Sequence, residues 1–298
     1  VTILFTQQGN DLSILIKAPI NTCKSLIIGC SAEIIIGKDD TLETPIIHSG
    51  IRIFDDINKP LLLTGAHRCR EENNALIKIL KSESCLVGLF SELGILVATG
   101  QVELNSIAKQ KAIELIGKEE NLYHGNFTEI VTNSLDSFDY SIDNSRQFQN
   151  PYLIDILTIV CTFKDWNTID SNYVGLMEHP QTKIDDIEEG THLEKQVWFS
   201  IESLFPYSIY LNPKYKTTKG EKELTDILAF HDLGIFLIET KGLSVFAPNV
   251  DKSMEKKVTT QHKHIRKAIK QLVGAKENIE KGTEFYSSSG EKIEFKRD

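Results

Sequence analysis

The chain has 298 residues, of which 41% are hydrophobic and 25% charged, with a formal net charge of −9. This length predicts two domains, and the composition is that of a soluble globular protein, not a disordered or fibrous one. No apolar run reaches the roughly 18 residues of a membrane-spanning helix. The first residues also lack the basic segment of a signal peptide, so we expect a cytoplasmic protein without a membrane partner.

Two further features of the composition bear on function. Five cysteines, an odd number without CxxC spacing, predict reduced thiols rather than a disulfide framework or a zinc site. Residues 1–190 carry 15 Lys and Arg against 27 Asp and Glu, a net charge of −12, whereas residues 191–298 carry 18 against 15, a net charge of +3. A mildly basic C-terminal part suits contact with nucleic acid, although two halves of a chain can simply differ in charge.

The N-terminal region is predicted to mix short strands with helices. Apolar β-branched runs between Asn, Asp and Gly clusters favour strands, and apolar residues at helical spacing favour helices. In chain order, the predicted elements are strands at 12–16, 25–29 and 33–37, a helix at 71–81, a hairpin of 85–90 with 94–98, and a helix at 106–116. Residues 132–150 are rich in Asn, Asp and Ser and predict a long loop or a sub-boundary. The apolar run at 152–163 fits a buried helix or a strand equally well.

A polar, acidic stretch that ends at Gly190 separates two predicted domains. We place the boundary near residue 185, between a mixed α/β domain at 1–184 and a second domain at 185–298. The first domain contains no phosphate-binding glycine motif and no Ser/His/Asp cue. We therefore expect it to regulate the second domain, to bind a protein partner or to form a homo-oligomer.

The second domain is predicted to have the element order α-β-β-β-α-β. Thr191 to Glu194 fits a capping box, followed by an apolar stripe at helical spacing: Leu193, Val197, Ile201 and Leu204. The later elements are a strand at 208–211, a polar basic loop at 214–220, strands at 223–230 and 235–241, a helix at about 255–281 and a last strand at 292–296.

The two strands at 223–230 and 235–241 carry the chemistry. Side chains alternate between the faces of a strand, so closing the hairpin about Asp232 and Leu233 places Asp226 opposite Glu239. Lys241 then shares their face, whereas a three-residue turn would shift this register by one. The two acids lie among apolar side chains, where they would repel each other unless one is protonated or a cation binds. Oxygen ligands suit Mg²⁺ or Mn²⁺, and Lys241 could hold, or help to deprotonate, a water molecule aimed at a phosphate. The alternative is a pair of ordinary exposed acids on an amphipathic hairpin.

The segments Gly220 to Asp226 and Gly234 to Gly242 together resemble the PD-(D/E)xK nucleases, and within them the NERD-like and restriction-endonuclease-like domains. The resemblance covers about residues 191–298. It implies an α/β (α+β) fold and a Mg²⁺- or Mn²⁺-dependent nuclease in restriction or anti-phage defence, with DNA as the favoured substrate. It implies that Asp226, Glu239 and the carbonyl of Thr240 bind the metal and that Lys241 is catalytic. Thr225 stands where the name-giving Pro would be.

The resemblance also suggests two assisting residues. Family members often have a Glu on the helix before the sheet, here Glu194, although the capping box would also explain that residue. They often have a polar residue on the following helix, here Gln261, which extends the apolar stripe of Ile265, Ala268, Ile269, Leu272 and Val273 but could instead face solvent. Two other functions stay open: an inactive nuclease fold that binds nucleic acid or protein, and a metal-dependent RNase.

Overall fold

A computed structural model describes residues 2–56, 59–117, 122–145, 147–186, 188–242 and 254–294. Six helices and several sheets in these residues make the fold mixed α and β. As predicted, all five cysteines, which lie in these ranges, are free. None of the described helices has the length and apolarity to cross a membrane.

The chain divides into two compact units, Val1–Ile169 and Asp170–Asp298. The division falls earlier than residue 185 because a small hairpin belongs to the second unit. Its strands, Asp170–Asn172 and Gln181–Lys183, pair with each other, and the second of them contacts the helix that follows.

The first unit is built on one sheet. Its described elements are β1 (Thr2–Gln8), β2 (Asp11–Lys17), α1 (Ile20–Ile27), β3 (Ala32–Asp39), β4 (Ile46–Ile53), β5 (Leu61–Ala66), α2 (Arg70–Lys81), β6 (Ser84–Phe90), β7 (Leu96–Leu104), α3 (Ser106–Ile116), α4 (Glu129–Ile142) and β8 (Asp155–Thr168). In the described residues the sheet has eight strands in the order β1-β2-β6-β7-β8-β3-β4-β5. Among the described strands of this sheet, only β2 and β6 pair in parallel, and the edge strands β1 and β5 contact each other.

Several predictions for the first unit are confirmed, and two are wrong. The strands at 12–16 and 33–37, the helices at 71–81 and 106–116 and the hairpin between them are all present, and 152–163 falls largely in strand β8. Residues 25–29 were predicted as a strand, but helix α1 covers most of them. Residues 132–150 contain most of helix α4 and no boundary. Two of the serines that favoured a loop there are buried: Ser134 donates to Asp39, and Ser137 donates to the carbonyl of Asn133.

The second unit contains two larger sheets. Its described elements are β9 (Asp170–Asn172), β10 (Gln181–Lys183), α5 (Glu189–Glu202), β11 (Ile209–Leu211), β12 (Lys214–Thr217), β13 (Gly220–Glu223), β14 (Ile227–His231), β15 (Gly234–Ile238), α6 (Met254–Glu280), β16 (Phe285–Tyr286) and β17 (Lys292–Ile293). The described strands form sheets with the orders β11-β14-β15 and β13-β12-β16-β17. Residues 295 and 296 of the predicted last strand lie outside the described residues.

The hairpin register in the second unit is the predicted one. Leu228 pairs with Leu237, and His231 pairs with Gly234, so the turn is Asp232-Leu233. The apolar side chains of this face pack against helix α6 and the second sheet in a core cluster of Leu224, Leu228, Ala275, Phe285 and Ile293. Burying a side chain such as Leu228, which is 0% exposed, stabilises the fold by about 2 kcal/mol.

Four local predictions for the second unit are wrong. The polar loop at 214–220 is most of the hairpin β12–β13, and the strand expected from 223 begins only at Ile227. Helix α5 begins at Glu189, so Thr191 lies inside it and forms no capping box with Glu194. On helix α6, Ile265, Ile269 and Val273 are each more than half exposed, and the contact with the core is made further along by Ala275 and Ile279.

Candidate active site

Asp226 lies immediately before β14 and is only 3% exposed. The last ladder pair at this end of the hairpin is Ile227 with Ile238, and Asp226 and Glu239 lie one residue beyond it on the two sides of the hairpin. Thr225, which stands where the family pattern has Pro, donates its hydroxyl to the carbonyl of Ile238 at 2.8 Å. This bond ties the segment of Asp226 to the strand that leads into Glu239.

Three donors converge on one oxygen of Asp226. The backbone N–H and the hydroxyl of Thr240 donate to Oδ2 at 2.6 and 3.0 Å, and Lys241 Nζ lies 3.3 Å from the same atom. A charge-assisted hydrogen bond of this kind fixes the carboxylate firmly. The structure therefore brings together three of the predicted site residues: Asp226, Thr240 and Lys241.

Glu239 completes the predicted group but is less well satisfied. Its Oε2 accepts a hydrogen bond from Lys241 Nζ at 2.8 Å, and its side chain is 1% exposed. Its Oε1 is buried and has no hydrogen-bond partner in the described part of the chain. A buried acceptor without a donor costs about 1–3 kcal/mol, so this oxygen marks a place where a ligand could be accommodated.

Lys241 is a cation at neutral pH. Burial alone would lower its pKa, but the hydrogen bond to Glu239 and the negative charges of Asp226 and Glu239 outweigh burial and raise it. The side chain can therefore donate hydrogen bonds and neutralise negative charge. A protonated ammonium group cannot act as a general base. Of the two roles expected from the sequence, Lys241 can therefore hold a water molecule but cannot deprotonate it.

Glu194 belongs to the same group of charges. Its Oε2 accepts a hydrogen bond from the side-chain amide of Asn212 at 3.3 Å. Burial and the charge of Asp226 raise the pKa of Glu194, while the Asn212 bond and the charge of Lys241 lower it. Glu194 is thus close enough to Asp226, Glu239 and Lys241 for their charges to act on it, and its assisting role remains a prediction.

Two neighbours of the site were not found from the sequence. Burial and the negative charges of Asp226, Glu194 and Glu239 raise the pKa of Glu223, at the end of β13, to about 7. Asn212, which follows β11, contacts both Asp226 and Glu194. Glu223 lies within the quoted motif, but the sequence predicted it as an ordinary residue of a paired strand. Asn212 was missed because nothing in the sequence around it distinguishes it from a turn residue.

Gln261 is exposed on helix α6, and its assisting role remains a prediction. No group of three His, Cys, Asp or Glu side chains in the described ranges is arranged to hold a metal ion. Lys241 contacts both Asp226 and Glu239, so the two carboxylates at present share one ammonium group.

Comparisons with protein-family models, with curated proteins and with solved structures find no match to this chain.

Proposed function

We propose that the second unit is a metal-dependent nuclease of the PD-(D/E)xK type that hydrolyses phosphodiester bonds, with DNA as its favoured substrate and restriction or anti-phage defence as its setting. The observation that carries this proposal is the position of Lys241 Nζ at one end of a hairpin, 3.3 Å from Asp226 and 2.8 Å from Glu239, with Glu194 and Glu223 close by. Neighbouring carboxylates raise the pKa of Glu194 and Glu223, and a divalent cation would relieve this crowding of acidic groups.

The donor set fits Mg²⁺ or Mn²⁺. Asp226 and Glu239 offer carboxylate oxygens, and Glu239 Oε1 is buried without a donor among the described residues. The resemblance adds the backbone carbonyl of Thr240 to this set. These are the hard oxygen ligands that both ions prefer. When bound there, the ion would polarise a phosphoryl oxygen and lower the pKa of a bound water molecule.

The other catalytic roles are assigned to side chains of the protein. Lys241, held protonated by the two acids, donates to the attacking water or to a phosphate oxygen and offsets the charge that develops on it. The pKa of Glu194 is raised towards neutral pH, which suits a general base, so Glu194 orients the water molecule and takes up its proton. Gln261 is the other assisting candidate. The acidic first unit would regulate the nuclease or bind a protein partner or a second copy.

The test is cleavage of plasmid, linear duplex, single-stranded DNA and RNA by the full chain with Mg²⁺ or Mn²⁺. We expect cleavage that a chelator stops, and a loss on the order of 10³-fold in Asp226→Asn and Lys241→Met. Asp232→Asn is the matched control, since Asp232 is an exposed acid in the turn of the same hairpin. Equal cleavage by wild type and by the two site variants would refute the assignment.

The other outcomes of this test identify the alternatives. Cleavage confined to RNA would indicate a metal-dependent RNase. Binding of nucleic acid without cleavage of any substrate would indicate an inactive nuclease fold, in which the contacts of Lys241 with Asp226 and Glu239 are purely structural. Growth of cells under phage challenge, with and without the Asp226→Asn change, tests the proposed setting separately.

A further inference from the structure

Asn212 occupies an unusual backbone position next to Asp226. It follows strand β11 with φ of 47°, in the left-handed region that Asn tolerates better than most residues. Its backbone N–H donates to the carbonyl of Asp226 at 2.8 Å, one step beyond the ladder pair of Leu211 with Ile227. The backbone of Asn212 is thereby fixed to the residue at the centre of the site.

The side chain of Asn212 is oriented by Glu194. Its Nδ2 donates to Glu194 Oε2 at 3.3 Å, which leaves the amide oxygen on the other side. If the amide turned over, Oδ1 would face a carboxylate oxygen, and two acceptors would oppose each other. The orientation of Oδ1 is therefore determined by the charge of Glu194.

Two buried oxygens of the site lack donors. Asn212 Oδ1 and Glu239 Oε1 are both inaccessible to solvent and without a hydrogen-bond partner among the described residues. The side chain of Glu239 is 1% exposed, so it cannot turn to bulk water without rearrangement. Both atoms are acceptors, so a group that satisfies either of them must bring a proton to donate or a positive charge.

We propose that Asn212 is a further member of the cation site, with Oδ1 accepting a hydrogen bond from a water molecule on the divalent ion while Nδ2 holds Glu194 in place. This inference rests on the proposed function. Mg²⁺ keeps several of its waters when it binds to proteins, and such waters are strong donors that need acceptors around them. Asn212 is in this sense a positioning residue that links Glu194 on α5 to Asp226 beside β14.

The test measures Mn²⁺ binding to the full chain by titration calorimetry. Asn212→Gly is the sharpest change because glycine adopts positive φ freely and keeps the N–H that donates to Asp226. We expect about tenfold to hundredfold weaker binding in this variant. Asn150→Gly is the matched control, since Asn150 is an exposed asparagine with φ of 54° in the first unit, and its Mn²⁺ affinity should equal that of wild type.

A second variant separates the two polar atoms of the amide. Asn212→Asp keeps an acceptor oxygen but loses the Nδ2 donor and sets a second carboxylate against Glu194, so we expect the folded variant to bind Mn²⁺ less tightly than wild type. Binding as tight as in wild type by a folded Asn212→Gly or by a folded Asn212→Asp would overturn the proposal and leave the proposed function intact. A wild-type chain that binds no Mn²⁺, or an Asp226→Asn variant that binds it equally well, would overturn both.

Discussion

Asp39 in the first unit and Glu239 in the second are both buried carboxylates, and they differ in the number of hydrogen-bond donors around them. In the first unit, Asp39 is 1% exposed and accepts hydrogen bonds from the backbone and hydroxyl of Thr41, from Ser134 and from Tyr152. Burial alone would raise the pKa of Asp39, but the hydrogen bonds from Ser134, Thr41 and Tyr152 lower it. A carboxylate with this many donors has little left to offer a ligand.

In the second unit, Glu239 is buried with fewer donors than Asp39. Its Oε1 has no partner among the described residues, and its Oε2 shares Lys241 with Asp226. Burial and neighbouring carboxylates also raise the pKa of Glu194 and Glu223. Burial alone therefore does not distinguish Glu239 from Asp39, whereas the number of donors around the two oxygens of each carboxylate does.

The largest expected effect concerns Glu239. Changing Glu239 to Gln removes one negative charge from a crowded site, so we expect cleavage to fall on the order of 10³-fold without loss of stability. Cleavage rates and hydrogen exchange of peptides from the second unit measure the two quantities. A loss of several kcal/mol in local stability would show that Glu239 is a structural acid like Asp39.

The opposite outcome is expected for Asp39. Changing Asp39 to Ala leaves the hydroxyls of Ser134 and Tyr152 without their buried acceptor and should destabilise the first unit by about 3 kcal/mol. Hydrogen exchange of peptides from β3 and α4 measures this loss. Cleavage by the folded fraction should match wild type. A loss of activity in an Asp39→Ala variant of unchanged stability would contradict a purely structural role for Asp39.

The hairpin that carries Asp226 and Glu239 could be read from the sequence because its determinants are local. Strand alternation and a two-residue turn fix which side chains share a face, and Leu228 does pair with Leu237. Asn212 and Ser134 could not be found in this way. Asn212 meets Glu194 across 18 residues of chain, and Ser134 meets Asp39 across 95, so their roles depend on tertiary packing.

Local patterns also misled where tertiary contacts competed with them. Thr191 to Glu194 has the letters of a capping box, but α5 starts earlier and Glu194 bonds to Asn212 instead. The serines of α4 favour loops as isolated residues, yet Ser134 and Ser137 are buried and hydrogen-bonded within the fold. Glu194 and Ser134 each bind a partner that is distant in the chain, which the neighbouring sequence does not reveal.

A divalent ion should stabilise only the second unit. At a Mn²⁺ concentration one hundred times its dissociation constant, the expected gain in the free energy of unfolding is about 2.7 kcal/mol. Hydrogen exchange with and without Mn²⁺ should show slower exchange in β14 and β15 and unchanged exchange in β3 and β4. The Asp226→Asn variant should lose the effect, and equal protection of both units would argue against a specific site.

The smallest expected effect concerns three titratable groups buried in the first unit. Burial lowers the pKa of His48 to about 4 and that of His67 to about 3, and burial raises the pKa of Glu72 to about 7. His48 bonds to Ser134, and His67 bonds to Ser49 and Asn73. His67 also lies 4.0 Å from Glu72, but a neutral imidazole forms no ion pair with it.

The signs of these three shifts oppose one another. The stability that each neutral histidine contributes is present above its unfolded pKa of 6.5 and is lost as the pH falls towards the folded value. The contribution of Glu72 is present below 4.5 and is lost as the pH rises through about 7. Between pH 7 and pH 5, each histidine should cost about 2 kcal/mol, and Glu72 should offset about 2 kcal/mol of that loss.

Removing the titration of Glu72 should therefore expose the full effect of the histidines. We expect Glu72→Gln to lose about 2 kcal/mol more stability than wild type on acidification from pH 7 to pH 5, measured by hydrogen exchange of peptides from α2 and β4. Glu71→Gln is the control, because Glu71 is the exposed neighbour on the same helix and should follow the wild-type curve. If Glu72→Gln also followed the wild-type dependence of stability on pH, the Glu72 carboxyl would be ionised in the folded state. Hydrogen-bond donors would then have to hold its pKa low, as they do for Asp39.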